Sequence, residues 1–138
     1  MAEEMSERRE IGMVVGTTSP NFFKAAVQRR VVETERIRVG NYVLAEHPHL
    51  DALVLCQVTN IKVEDRGYHE LSSLVDTYVE TGRRPRIATT LRSFLHVTPV
   101  GFVEDGEFSP LREGLVPGSR VYEARPEDIR SYFGVSNP

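Results

Sequence analysis

Apolar residues in this chain recur at a spacing of two, in short runs cut by glycine and proline, and that pattern excludes most folds. Ile11-Gly12-Met13-Val14-Val15-Gly16 opens the patterned region, and Val116-Pro117-Gly118-Ser119-Arg120-Val121-Tyr122 lies near its end. Between them Phe23, Ala25 and Val27 share one parity, as do Val54, Cys56 and Val58. Side chains two apart point to the same side of a strand, so each run offers one apolar face to a core. The expected fold class is mainly β: a small closed β-barrel of six or seven strands, since closure is how so short a sheet avoids exposed edges.

Breaks in parity locate irregularities. Ile61 and Val63 have the opposite parity to Val54, Cys56 and Val58, which predicts a bulge near Thr59-Asn60. Ile87, Leu91, Leu95 and Val97 likewise give way to Val100 and Phe102, which makes Pro99 a strand edge or break. Asp105-Gly106 is the strongest hairpin signal, because a two-residue primed turn needs positive φ at both central positions. The pattern further predicts a second strand from Phe22 to Val32, alternation over Ile37 and Val39 before the Gly40-Asn41 turn, and a strand over Ser119 to Glu123.

One internal segment changes period. Leu71, Leu74, Val75, Tyr78 and Val79 share a helical stripe, Gly82 suits the cap, and Pro85 stops continuation. This one central helix is expected to cover an opening of the barrel. A short C-terminal helix starts at Pro126, with Glu127 and Asp128 in its first turn and Ile129, Tyr132 and Phe133 on its apolar side.

A chain of 138 residues, 40% of them hydrophobic, can close one core. The reading divides it into a flexible leader over 1–10, a barrel domain over 11–134 and a tail over 135–138. Seventeen basic residues against 20 acidic ones leave a net charge of -3, which excludes the global basic field of an independent duplex-DNA binder. The single cysteine, Cys56, has no intramolecular disulfide partner and sits in an apolar strand, so a reduced thiol and a cytoplasmic location are expected. No apolar run approaches the roughly 20 residues that span a bilayer, and Met1 to Glu10 lacks the order of a signal peptide.

Chemistry-bearing residues are scattered. His47 and His49 lack companions at a metal-ligand spacing, so a polar loop is the reading there. His69 and His96 are isolated, and Asp51, Glu64, Asp65, Asp76 and Glu80 form no acid–base pair. No catalytic, cofactor-binding or metal residue is therefore assigned. The candidate contacts to a phosphate or an acidic partner are Arg29 and Arg30, and Arg83, Arg84 and Arg86. Arg83 and Arg84 also complement the dipole at the end of the central helix, and no aromatic residue is interleaved with the cluster to stack bases.

Taken in order, Ile11 to Gly16, Arg38-Val39-Gly40-Asn41-Tyr42-Val43, Pro117 to Tyr122 and Ile129-Arg130-Ser131-Tyr132-Phe133-Gly134 resemble the N-terminal HAS-barrel of HerA-type hexameric DNA-translocating ATPases. The resemblance covers nearly the whole chain. It implies a barrel that precedes a RecA-like ATPase core, helps form a hexameric ring, and lies at the end that docks the nuclease NurA in DNA-end resection and double-strand break repair. No Gly-x-x-x-x-Gly-Lys-Ser/Thr sequence is present, so ATP and magnesium are expected at a motor domain joined after Gly134. The expected role is assembly and partner docking, homo-oligomeric in the full-length context, without catalysis or a cofactor of its own. The second reading is a free-standing barrel for single-stranded nucleic acid, which needs Phe22, Phe23, Tyr42, Arg29 and Arg30 on one exposed face.

Overall fold

The alternating runs form seven strands in the computed structural model, which describes residues 8–34, 37–65, 73–84 and 91–134. In chain order the elements are β1 (Glu10–Ser19), β2 (Phe22–Val27), α1 (Arg29–Glu33), β3 (Tyr42–Glu46), β4 (Leu53–Asp65), α2 (Ser73–Thr81), β5 (Leu91–Glu104), β6 (Glu107–Ser109), β7 (Arg120–Glu123) and α3 (Pro126–Gly134). Of the expected leader, residues 1–7 lie outside the described residues, as does the tail over 135–138.

All pairings are antiparallel, in the order β2-β1-β7-β3-β4-β5. β5 returns to β2, from Phe23 opposite Val97 to Val27 opposite Ser93, and so closes a six-stranded barrel. β6 extends the sheet from the far end of β5 as a hairpin. Its turn has the expected geometry, with φ 52° at Asp105 and 78° at Gly106. The register of β4 on β5 slips between Val58 and Asn60, and again opposite Val100, between Gly101 and Pro99. Both slips fall where the parity of the sequence breaks, but β5 does not end at Pro99: it continues through that residue, which lies opposite Cys56.

Inside the barrel Val14, Phe23, Ala25, Val43, Val54, Cys56, Leu95, Val97 and Val121 are wholly shielded from water. Leu111 and Leu115, from the irregular segment between β6 and β7, enter the same core. Each such Val, Leu or Phe contributes about 1.5–3 kcal/mol by leaving water. Strand spacing is tight at Gly12, where a Cβ would stand 2.5 Å from the Ala26 carbonyl oxygen and 2.8 Å from Val27 Cγ1.

A second cluster, Leu44, Leu53, Leu55 and Tyr122, lies on the outer side of β3, β4 and β7, with Tyr132 of α3 packed against it. This cover explains why β3 and the start of β4 read as unbroken apolar runs: both of their faces are buried. α3 is fixed at two points. The Tyr132 hydroxyl donates to the Leu53 carbonyl at 2.6 Å, and burial pushes that phenol up to about 12. At the helix start Asp128 Oδ2 accepts from Arg125 N at 2.9 Å while Asp128 N donates to the Arg125 carbonyl, a reciprocal cap. Arg8 Nη1 reaches the same carboxylate at 2.5 Å. Burial alone would raise the Asp128 carboxyl, but its bonds with Arg8 and Arg125 outweigh that and hold it below its ordinary range.

Three local expectations are corrected. The second strand stops at Val27 instead of Val32; after Gln28 the chain coils into α1, which sends Val31 into the core and leaves Arg30 in solvent. Two adjacent apolar residues, Val31 and Val32, fit one side of a helical turn as well as they fit a strand. Ile37 and Val39 form no strand: Ile37 is buried beside the core, and Val39 projects outward ahead of Gly40, whose φ is 94°. Finally, α2 is a helix capped at Gly82 by a bond to the Tyr78 carbonyl, but its apolar stripe is not the buried cover that the pattern predicts: Leu74 and Val75 are partly buried, and Tyr78 and Val79 are exposed. Helical periodicity fixes which residues share a side, not what lies against them.

Gly12→Ala is expected to cost about 1–3 kcal/mol, since the strands must part to admit the methyl group; urea unfolding measures it. Asp128→Asn is expected to cost about 2–4 kcal/mol at neutral pH, by removing the carboxylate charge that faces the buried Arg8 guanidinium. Because the folded carboxyl titrates below its ordinary 3.8, that contribution is complete above this value and fades as pH falls through the folded one. The two unfolding curves should therefore converge in acid.

Candidate interaction surface

Outside the barrel the odd-numbered residues of β2 give way to Phe22, Lys24 and Ala26, which point outward because Phe23, Ala25 and Val27 point in. The neighbouring strands carry the face sideways. Met13 lies opposite Ala26, Val15 opposite Lys24, His96 opposite Lys24 and Phe94 opposite Ala26. Across β5, Lys62 faces Phe94 and Asn60 faces His96. None of the three described helices buries this face: Met13 is 49% exposed and Phe22 39%. An open groove of about 470 Å³ continues it past Met13 and Ala26 towards Gln28 and Arg120.

The side chains on this face contact one another. Lys24 Nζ stands 4.1 Å above the Phe94 ring, a cation–π contact, and 3.6 Å from Glu64 Oε1. His96 meets Phe22 edge-on at 5.4 Å between centroids. Partial burial, and then the charges of Lys62 and Lys24, lower the His96 pKa against the opposing pull of Glu64. The face is thus apolar and aromatic, with lysines set among the rings.

Of the arginines singled out from sequence, three have described side chains. Arg29 and Arg30 belong to α1, where Arg30 is exposed. Arg83 and Arg84 are exposed beyond the end of α2, and Arg86 lies outside the described residues. The aromatic set needed for a strand-binding face does not form: Phe23 is buried in the core, and Tyr42 packs under α3 with its ring 5.6 Å from Phe133. The lysine-aromatic face lies on the outward parity of the strands, whose inward parity dominates the sequence pattern. The signal was its complement, Phe22-Lys24-Ala26 beside Phe94-His96.

Cys56, His47 and His49 are engaged with neighbouring groups. The Cys56 thiol donates to the Val54 carbonyl at 3.4 Å, and burial pushes its pKa far up, so no nucleophilic thiolate forms there. His47 Nδ1 accepts from the backbone N–H groups of His49 at 3.1 Å and Leu50 at 3.0 Å, with its ring 4.4 Å from that of Phe102. His49 Nε2 pairs with Glu113 at 2.5 Å. Among the described residues no three His, Cys, Asp or Glu side chains are placed to hold a metal ion, and no helix is long and apolar enough to cross a membrane.

A closed antiparallel barrel, sheathed by its own helix on one side and half exposed on another, is a small barrel domain and not a catalytic motor. The sequence profile of the HAS barrel domain matches residues 11–105, most of the chain, and the chain belongs to that family. The match spans five of the six barrel strands and ends before β7, which completes the closure. No curated protein matches the chain.

His47 supplies a test of the β3–β4 loop. Its Nδ1 lone pair is occupied by two donors, so protonation there must release both. Burial and His49 depress its pKa below 6.5 against the pull of Glu104 and Glu113. The unfolded chain therefore takes the proton first, and stability contributed by neutral His47 is complete above 6.5 and lost as pH falls below it. Amide exchange at His49 and Leu50, corrected for its intrinsic pH dependence, is expected to accelerate as His47 protonates, and His47→Ala should abolish that dependence.

Proposed function

We propose that this barrel is the assembly and partner-docking domain of a HerA-type hexameric ATPase and DNA translocase (bipolar helicase), working in the cytoplasm with a NurA-type nuclease in DNA-end resection and double-strand break repair. Membership of the HAS barrel family supports the reading. The observation that carries it is the half-exposed face of Met13, Val15, Phe22, Ala26 and Phe94, since contiguous apolar surface on a soluble domain marks a place for a partner. ATP and magnesium belong to the motor domain in this reading. The barrel sets subunit spacing and presents a rim, on which exposed Arg30, Arg83 and Arg84 supply contacts to an acidic partner or to phosphate. It performs no chemistry itself.

Sedimentation of the chain over a concentration series tests this. Average mass is expected to rise with concentration, and Met13→Glu with Phe22→Ser is expected to weaken association by about tenfold or more, as removal of a central apolar anchor does. Thermal stability should change little, because both side chains face outward. A chain that stays monomeric throughout, yet binds oligothymidylate with a steep salt dependence, would replace the reading with the strand-binding one.

A further inference from the structure

We propose that the open edge of β4 pairs with the same edge of a second copy of this chain, about a two-fold axis at Val63, so that one antiparallel sheet runs through two barrels. The contact goes beyond the ring-forming role proposed above, because a ring needs two different surfaces and this one joins a surface to itself.

The edge follows from unequal strand lengths. β4 runs from Leu53 to Asp65, but β3 accompanies it only from Leu53 to Gln57. Val58 closes that side, its N–H donating to the Asn41 carbonyl and its carbonyl accepting from Gly40 N, each at 2.8 Å. Beyond it β4 keeps β5 on one side, from Asn60 opposite His96 to Asp65 opposite Leu91, and among the described residues no strand lies on the other. Backbone groups of an antiparallel strand point alternately to its two sides. Val58 points away from β5 and the slip at Thr59 absorbs one residue, so Ile61 and Val63 point away from β5 as well. At Ile61 the chain covers its own amide, the N–H donating to Asn60 Oδ1 at 2.9 Å. Among the described residues no side chain does the same for Val63, whose own side chain is 60% exposed. Such an edge is a template for another strand.

The residues there fit a copy of themselves. Lys62, Val63 and Glu64 are all exposed, and no Gly or Pro occurs from Val58 to Asp65. With the axis at Val63 the two valines exchange a pair of backbone bonds, and Lys62 of each copy stands directly opposite Glu64 of the other. Opposite charges directly across an antiparallel pair attract and like charges repel. Moving the axis one residue either way sets Lys62 against Lys62 or Glu64 against Glu64, so charge selects the register. Glu64 already lies 3.6 Å from Lys24 of its own chain, and pairing places it between two lysines.

Cysteine cross-linking of the full chain tests the contact, since the native Cys56 is wholly buried. Val63→Cys is expected to form a disulfide dimer on mild oxidation, because the Cα separation of about 5.5 Å in a bonded pair lies within disulfide range. Lys62→Cys and Glu64→Cys are each expected to stay unlinked alone, being about 7–8 Å from their own counterparts, and to link when mixed. In sedimentation Lys62→Glu is expected to weaken dimerisation by about tenfold or more at low salt, and mixing it with Glu64→Lys to restore it. Cross-linking at 63 should survive Met13→Glu with Phe22→Ser, which separates this edge from the outer face. Absence of cross-linking at 63, or equal cross-linking at all three positions, overturns the pairing and leaves the ring-forming role standing. Slow exchange of the Val63 amide in dilute monomer also overturns it, by showing the edge already covered within the chain.

Discussion

The pairing of β2 with β5 is the contact on which the rest of the molecule depends. Without it the sheet is an open ribbon with two raw edges and a core exposed along one side. With it, Phe23, Ala25 and Val27 meet Leu95 and Val97 across a shared interior, and the residues between them are forced outward. The face bearing Phe22, Lys24, Ala26, Phe94 and His96 is therefore the reverse side of barrel closure. Any change that tightens one side shifts the other.

The outer surface is divided by what covers it. Over β3, β4 and β7 the chain supplies its own cover in α3, secured by the Tyr132 bond to Leu53 and the charged clamp at Asp128. Two arginines share the load there, because a buried carboxylate stripped of its cationic partners leaves an uncompensated charge. Over β1, β2 and β5 no described helix plays the same part. Two apolar surfaces of one small barrel are thus treated differently, one satisfied within the chain and the other left half open. This asymmetry separates the scaffold from the surface available to a partner.

Much of the fold was legible because strand parity is a strict constraint. The slips at Val58–Asn60 and opposite Val100, the Asp105-Gly106 turn and the Pro126 helix start each follow from local chemistry that few alternatives satisfy. The continuation of β2 past Val27 was misread because Val31 and Val32 suit a helical turn equally well. The exposed state of α2 was beyond reach for a different reason: a stripe announces that a helix has an apolar side but carries no information about its acceptor. Arg29 and Arg30 stand together on α1, and Arg83 and Arg84 follow the end of α2. Lys24 and Lys62 are remote in sequence, and only strand pairing brings them together with Phe94.

β1 lies between β2, its immediate successor, and β7, whose residues 120–123 come almost last. The irregular segment before β7 completes the same seam: Val14 N donates to the Ser119 carbonyl, Gly118 N to the Val14 carbonyl, and Thr18 Oγ1 to the Leu115 carbonyl. Within the barrel, β1 leaves the ribosome first and must wait, with one edge unpaired, until β7 has been made. Such long-range closure slows folding. Until β7 emerges, the nascent chain holds an incomplete barrel with a raw edge at its opening strand.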